Sequence, residues 1–216
     1  QNESLIASRK KAMHTITHEL RTPLTAIHGY AELMQDNEEE KISGYADNIL
    51  QASKRMTDML NSLLDFFRLD SGKEQANVRP FRLENIAELL QTEFTQQAEA
   101  KDLTLTIECP EGIILNGDKE RIIQICDNLL GNAVKFTNVG SVSLVISYDG
   151  NRLTLVVEDT GTGMSAEEQQ RVFGAFERLS NAATQDGFGL GLSIVKQIVG
   201  MLGGTIRLES EKGEGS

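Results

Sequence analysis

Four polar residues, Gln124, Asn128, Asn132 and Lys135, recur at intervals of four, four and three in a stretch that is otherwise apolar. On a helix they share one face. Ile122, Ile123, Ile125, Cys126, Leu129, Leu130, Ala133 and Val134 fill the remainder. A polar line on a largely buried helix must be satisfied by partners or must face a ligand cavity. Two amides and an ammonium in a row suit a metal-bound polyphosphate, with an Asn oxygen on Mg²⁺ and the Lys on a phosphate. A wet groove of ordinary solvated residues fits this stretch equally well.

Two glycine-bearing segments extend that chemistry. Residues 156–163 read as a strand running into a D-x-G-x-G loop, with Asp159 where the strand ends. A carboxylate there accepts a hydrogen bond from an exocyclic amine such as that of adenine, and the glycines admit a ligand close to the backbone. An Asx-type turn after a strand is the plainer reading. Gly187-Phe188-Gly189-Leu190-Gly191-Leu192 precedes an amphipathic helix, and glycine-rich backbone at a helix N-terminus attracts anions. No Gly-Lys-Ser/Thr follows, and the preceding residues 180–186 are polar and unpatterned, so neither a Walker loop nor a dinucleotide fingerprint is present. The pattern reads as a lid over a phosphate.

His18 completes the set. With Met13 at heptad position a, His18 falls at f, the outermost position, beside Glu19, which would hold one ring nitrogen and leave the other nucleophilic. A solvated polar residue is the alternative. Pro23, one turn on, is expected to bend the helix. His14 lies four residues earlier, but an i, i+4 pair with no third ligand is a poor metal site.

These residues must be positioned by two unlike halves. In the first seventy or so residues, a and d positions are taken by Met13, Ile16, Leu20, Pro23, Ile27, Tyr30 and Met34, then by Ile42, Tyr45, Ile49, Ala52, Met56, Met59, Leu63 and Phe66. Residues 35–40 break the two stripes. Flanking Leu24, Ala31, Ala46, Leu60 and Phe67 make the stripes wider than a two-stranded seam needs. A helical hairpin covered by a second copy of itself, a dimeric four-helix bundle, buries them; packing on the rest of the chain is the alternative. Residues 71–80 read as a linker. Residues 81–216 are mixed α/β. Strands are expected at 103–108, 141–148, 152–158 and 204–210, and helices from Asp118 to about Phe136 and after Gly191.

The chain has 216 residues with 21 basic and 32 acidic side chains, a net charge of −11. So acidic a chain, with 5% aromatics, lacks the basic footprint of a nucleic-acid binder. No apolar run approaches the ~20 residues that span a bilayer, so direct membrane contact is not expected of this segment. Cys109 and Cys126 are too few for a disulfide framework. A reducing, cytoplasmic setting is expected, for a piece of something longer.

Taken together, the motifs resemble the catalytic core of a two-component sensor histidine kinase over essentially the whole chain. HELRTPL (residues 18–24) is similar to that family's phospho-acceptor box, and NLLGNAVKFT (128–137) to its asparagine box. DTGTGM (159–164) and GFGLGL (187–192) are similar to its two glycine boxes, and VFGAFERL (172–179) to its phenylalanine box. The resemblance implies a two-helix hairpin forming a dimeric four-helix bundle, followed by an α/β sandwich ATP-binding domain of the histidine kinase, gyrase, Hsp90 and MutL type. It implies ATP and Mg²⁺ as cofactors, a homodimer through residues 1–70, and a response-regulator receiver domain as partner. It also implies that His18 is phosphorylated, that Glu19 is its acid-base neighbour, and that Thr22 assists dephosphorylation of the regulator. Asn128 would hold Mg²⁺, Asn132 and Lys135 would contact phosphates, and Phe136, Asp159, Gly161 and Gly163 would form the adenine pocket. Phe173 and Phe176 would anchor the lid, Arg178 would reach phosphate, and Gly187, Gly189, Gly191 and Leu192 would close over the nucleotide. The family continues past the equivalent of Gly-Glu-Gly-Ser into a final strand, and the sequence stops at Ser216, so that strand is expected to be missing from a piece of a longer protein. A scaffold without activity and an ATPase clamp are the rival classes. Intact His18, Asn128 and Asp159 argue against the first, and an exposed His on a dimer helix argues against the second.

Overall fold

The computed structural model describes residues 2–35, 39–177 and 188–216, with side chains from Ile16 onward except His18, Gln35, 39–41 and Ser43. It forms two compact units, Gln1–Phe67 and Arg68–Ser216.

The first unit is a pair of long helices, α1 (Asn2–Gln35) and α2 (Glu39–Asp70), the latter ending just past the unit's boundary. α1 continues through Pro23, whose missing N–H removes one rung of the ladder without ending the helix. α2 buries Ala52, Met59 and Leu63, which are all a or d residues of the heptad pattern. Tyr30 and Tyr45, both at d, stack with centroids 6.0 Å apart and tie the two helices together. Leu24, Leu33, Leu50, Leu60, Leu64 and Phe67 stay exposed.

The second unit is built of β1 (Arg79–Arg82), α3 (Glu84–Glu99), β2 (Thr104–Glu108), β3 (Ile114–Gly117), α4 (Lys119–Phe136), β4 (Ser141–Tyr148), β5 (Leu153–Asp159), α5 (Ala166–Arg171) and α6 (Gly191–Met201). β1 and β3 pair antiparallel. β2 runs parallel to β4, Thr104 opposite Ser141, and β4 runs antiparallel to β5, Val142 opposite Asp159. β4 alternates strictly, placing Val142, Leu144 and Ile146 in one core with Ile86, Leu90, Phe94 and Ala98 of α3 and Ile122, Cys126, Leu130, Ala133 and Val134 of α4. α6 packs on α4 and buries Ile194, Val195 and Ile198.

Both ends of α4 are held by side chains from outside it. At its start, Asp118 accepts from the Arg121 amide at 3.1 Å through one oxygen and from the Asn77 amide at 2.8 Å through the other. At its end, the Lys101 ammonium donates to the carbonyls of Val134 (2.7 Å), Lys135 (2.9 Å) and Thr137 (3.3 Å). A cation there both satisfies the last carbonyls and complements the helix dipole.

Three features differ from the sequence expectation. Residues 204–210 form no strand. Ser216 exchanges both backbone hydrogen bonds with Asp159 and Glu211 bridges to Gly215, while 204–210 pairs with no strand among the described residues. β1 begins at Arg79, inside the stretch read as linker; Pro80 is tolerated because β1 lies at the edge of a two-stranded sheet. α3 and β3 were not anticipated.

Asp127, on the side of α4 that faces α3, has a buried Oδ1 with no hydrogen-bond partner, and burial together with the nearby Glu93 pushes its carboxyl up to about 6. A carboxyl raised in the folded state destabilises the fold when ionised; the penalty is full above about pH 6 and fades as pH falls toward the unfolded value near 4. Asp127→Asn is therefore expected to raise the thermal midpoint at pH 7.5 by a stabilisation of about 1 kcal/mol, after discounting for partial exposure. That gain should vanish near pH 4. A midpoint that is unchanged or lower at pH 7.5 would contradict the origin of the shift.

Candidate functional site

The polar line of α4 lies where α6 begins. Asn128 Nδ2 donates to the Gln124 carbonyl at 2.8 Å, which fixes the amide and presents Oδ1 outward. A methyl group added to Gly191 would stand 2.7 Å from Asn128 Oδ1 and 3.9 Å from Asn132 Nδ2. The first turn of α6 thus rests directly on the asparagines, and a side chain there would fill the space between them. Lys135 Nζ sits 4.7 Å from the centre of the Phe136 ring, within cation–π range.

The backbone leading into α6 is equally close-fitting. Phe176, itself at φ +62°, donates its amide to the Gly189 carbonyl at 2.8 Å. Gly189 is at φ +69°, and a Cβ there would meet the Glu177 carbonyl oxygen at 2.6 Å. A non-glycine residue held at positive φ stores strain that its surroundings must over-determine. Phe173, Phe176 and Leu192 are all half-buried.

Asp159 stands at the end of β5, half-buried. Its Oδ1 accepts from the Gly161 amide at 2.8 Å, and burial raises its carboxyl while the Gly161 and Ser216 amides pull the other way. A Cβ on Gly161 would meet the Phe136 carbonyl oxygen at 2.6 Å, and Thr162 donates to that same carbonyl at 3.3 Å. The D-x-G-x-G loop is therefore laced to the C-terminal end of α4. At Gly163, φ +58°, a Cβ would collide with the Glu211 carbonyl, so packing against residues 211–215 is enough to require glycine there.

The structure thus gathers Asn128, Asn132, Lys135, Phe136, Asp159, Gly161, Gly189 and Gly191 around α4. His18, Glu19 and Thr22 lie on α1 in the other unit, with Glu19 half-buried and Thr22 exposed. The side chains of His14 and His18 lie outside the described residues, as do Arg178 and Gly187 altogether. One member of the polar line was overlooked in the sequence. Arg121, three residues before Gln124, donates through Nη1 to Gln124 Oε1 at 2.5 Å. Its i−3 spacing was the available signal. A second groove, lined by Ser141, Ser143, Glu158, Asp159, Thr160, Glu209, Glu211 and Glu214, contains no cation and would repel a polyphosphate.

Comparison with known proteins agrees with this layout. Residues 8–72 match the His Kinase A (phospho-acceptor) domain, and residues 117–216 match the histidine kinase-, DNA gyrase B- and HSP90-like ATPase domain. The chain is similar to an uncharacterized sensor-like histidine kinase, R01002, of Rhizobium meliloti, at 31% identity over 99% of its own length and 42% of that protein's. It is 34% identical to the sensor histidine kinase RcsC of Escherichia coli K12 over 97% of its own length and 23% of RcsC. The solved structure of full-length ShkA in complex with AMPPNP superposes with a TM-score of 0.70 at 30% identity, covering 95% of this chain and 44% of ShkA. A phospho-acceptor helical hairpin followed by an ATPase-type α/β domain defines a class, the catalytic cores of sensor histidine kinases. The chain belongs to that family. It spans less than half the length of these relatives.

The contact between Gly191 and Asn128 yields a direct test. Gly191→Ala is expected to displace the Asn128 amide and to weaken binding of a fluorescent ATP analogue about tenfold, ~1.4 kcal/mol, while the circular dichroism spectrum is retained. Wild-type affinity in the variant would mean that Asn128 takes no part in holding nucleotide.

Proposed function

We propose that the chain is an ATP-dependent protein-histidine autokinase that phosphorylates His18 and passes the phosphoryl group to an aspartate on a response-regulator receiver domain. The observation that carries this reading is the seating of α6 at Gly191 on Asn128 and Asn132, in a chain that also carries the His18-Glu19 helix. Asn128 fits Mg²⁺ because its Nδ2 is engaged by Gln124, which leaves a hard oxygen facing the site. Mg²⁺ usually takes one or two protein oxygens and completes its shell with phosphates and water. When bound, it offsets the charge of the polyphosphate. Asn132 and Lys135 then hold phosphate oxygens, and Arg178, outside the described residues, is assigned to phosphate by the family resemblance alone. Asp159 accepts from the adenine amine, with Phe136, Gly161 and Gly163 around the base. Phe173, Phe176, Gly189, Gly191 and Leu192 form and anchor the cover, and Gly187, outside the described residues, is assigned with them by the family resemblance alone.

In the transfer itself, the lone pair of one His18 ring nitrogen attacks the γ-phosphorus in line. An N–P bond forms, the bond from that phosphorus to the β,γ-bridging oxygen breaks, and ADP leaves with the electron pair. Glu19 takes the proton from the other ring nitrogen. Catalysis of this kind is mostly positioning and charge stabilisation, which suits a site built from amides, an ammonium and glycine backbone. Thr22, one helical turn after His18 and exposed, would orient a water for attack on the regulator's phospho-aspartate. The exposed leucines of α1 and α2 would be covered by a second copy, making a four-helix bundle.

Incubation with γ-labelled ATP tests the reading. Acid-labile, base-stable label on the protein is expected, and His18→Gln should abolish it. Free phosphate without labelled protein would point to an ATPase clamp, and neither product to a scaffold. In the same assay Thr22→Ala should retain His18 labelling but slow regulator dephosphorylation at least about tenfold, a transition-state loss of ~1.4 kcal/mol. If labelling and dephosphorylation fall together, Thr22 is structural. Light scattering checks the assembly: twice the 23.8 kDa chain mass is expected, and Leu64→Glu, at 56% exposure, should give monomers. A wild-type monomer at micromolar concentration would overturn the bundle.

A further inference from the structure

The connector between the hairpin and the α/β domain, residues 71–78, does not hang free. Asn77 donates its amide to Asp118, the residue that caps α4. Three residues earlier, Glu74 Oε1 accepts from Nη2 of Arg121, while the other arm of the same guanidinium, Nη1, holds Gln124 Oε1 at 2.5 Å. The two charged side chains are only 15% (Arg121) and 27% (Glu74) exposed, so water substitutes poorly for either partner. Arg121 is the first residue of the polar line, and the next, Gln124, receives Asn128 Nδ2 on its carbonyl at 2.8 Å. Gln124 therefore stands between the two: its side chain meets the guanidinium held by the connector carboxylate, and its backbone carbonyl holds the amide whose oxygen lies beside Gly191.

We propose that Glu74 is a positioning residue of the nucleotide site: acting from the connector through Arg121, it fixes the N-terminal end of the α4 polar line. The inference rests on the nucleotide reading above. Only a planar guanidinium spans the carboxylate and the amide at once, one arm to each. Without the Glu74 charge, the partly buried guanidinium loses the carboxylate that sets its orientation in the first turns of α4, and it shifts away from Gln124. That movement releases the Gln124 side chain and loosens the helix face that presents Asn128. The same pair pins the connector to α4, so its loss also frees the Asn77 amide from Asp118.

The test uses the whole chain and three proteins: wild type, Glu74→Gln, and the swap Glu74→Arg with Arg121→Glu. Hydrogen exchange at the Asn77 amide reports the latch, a Mg·ATP analogue titration reports the site, and circular dichroism reports the fold. Glu74→Gln is expected to lose protection at Asn77 and to bind about tenfold more weakly. The swap, which rebuilds the pair with reversed polarity and lets the Gln124 amide donate instead of accept, should recover affinity to within about threefold of wild type. Unchanged affinity in Glu74→Gln when Asn77 has lost protection overturns the proposal. A folded swap variant that stays as weak as the single variant overturns it as well, because the effect would then not be the pair's. A wild-type chain that binds no Mg·ATP analogue fails differently: it overturns the nucleotide reading itself, and the positioning role falls with it.

Discussion

The second unit depends on one conflict inside α4. The helix has to be apolar on most sides, because α3, α6 and the sheet all pack against it, and yet it carries a line of amides and cations along its length. A buried polar group without a partner costs about 1–3 kcal/mol, so each member of that line must be satisfied by the protein or by a ligand. The protein settles the start of the line by joining Arg121 to Glu74 and Gln124, while Asp118 and the Lys101 ammonium hold the helix's own backbone ends. The middle is left to Asn128 and Asn132 under the glycine backbone of α6. Holding the ends and opening the middle is what makes the helix a site as well as a core element.

The chemistry is divided between two units. The phospho-acceptor helix folds on its own heptad logic, with tyrosines stacked between α1 and α2 and a stripe of a- and d-position burial along α2. The proposed nucleotide face is made entirely within residues 68–216. On the proposed reading, nucleotide binding and phosphoryl acceptance are assigned to different units of the chain.

The two long helices and the α4 polar line were legible in the sequence because each is a sustained periodicity. Thirty-odd residues of heptad pattern leave few alternatives, and a four-four-three polar spacing on an apolar helix has one geometric meaning. The glycine positions were legible as motifs, but their reasons were not. Gly191 is small to make room for Asn128, whereas Gly163 is small because the 211–215 turn crosses it, and nothing local distinguishes the two. α3 was missed although Ile86, Leu90, Phe94 and Ala98 repeat every four residues, because Thr and Gln fill most of the intervening positions and dilute the signal. β1 and β3 have four residues each, too few for alternation to register, and one contains proline. The segment 204–210 alternates well and still forms no strand, since alternation sets which face is buried and says nothing about whether a neighbouring edge exists. Glu74 was hidden for a related reason. Its partner lies 47 residues away, and a lone carboxylate in a polar connector has no pattern.

The parallel pairing of β2 with β4 has a consequence for how the domain is made. A parallel neighbour cannot be reached by a tight turn, so β2 waits until β3 and α4 have been laid down and brought across. Contacts this far apart in sequence carry a loop-closure entropy that must be met before they repay it, which raises contact order and slows folding. The helix that closes this crossover is also the one proposed to hold nucleotide. A ligand bound only by the closed form stabilises it by mass action, about 2.7 kcal/mol at a hundredfold excess over its dissociation constant. On that proposal, nucleotide supply and the lifetime of the folded crossover would be linked through topology, with no regulatory residue required.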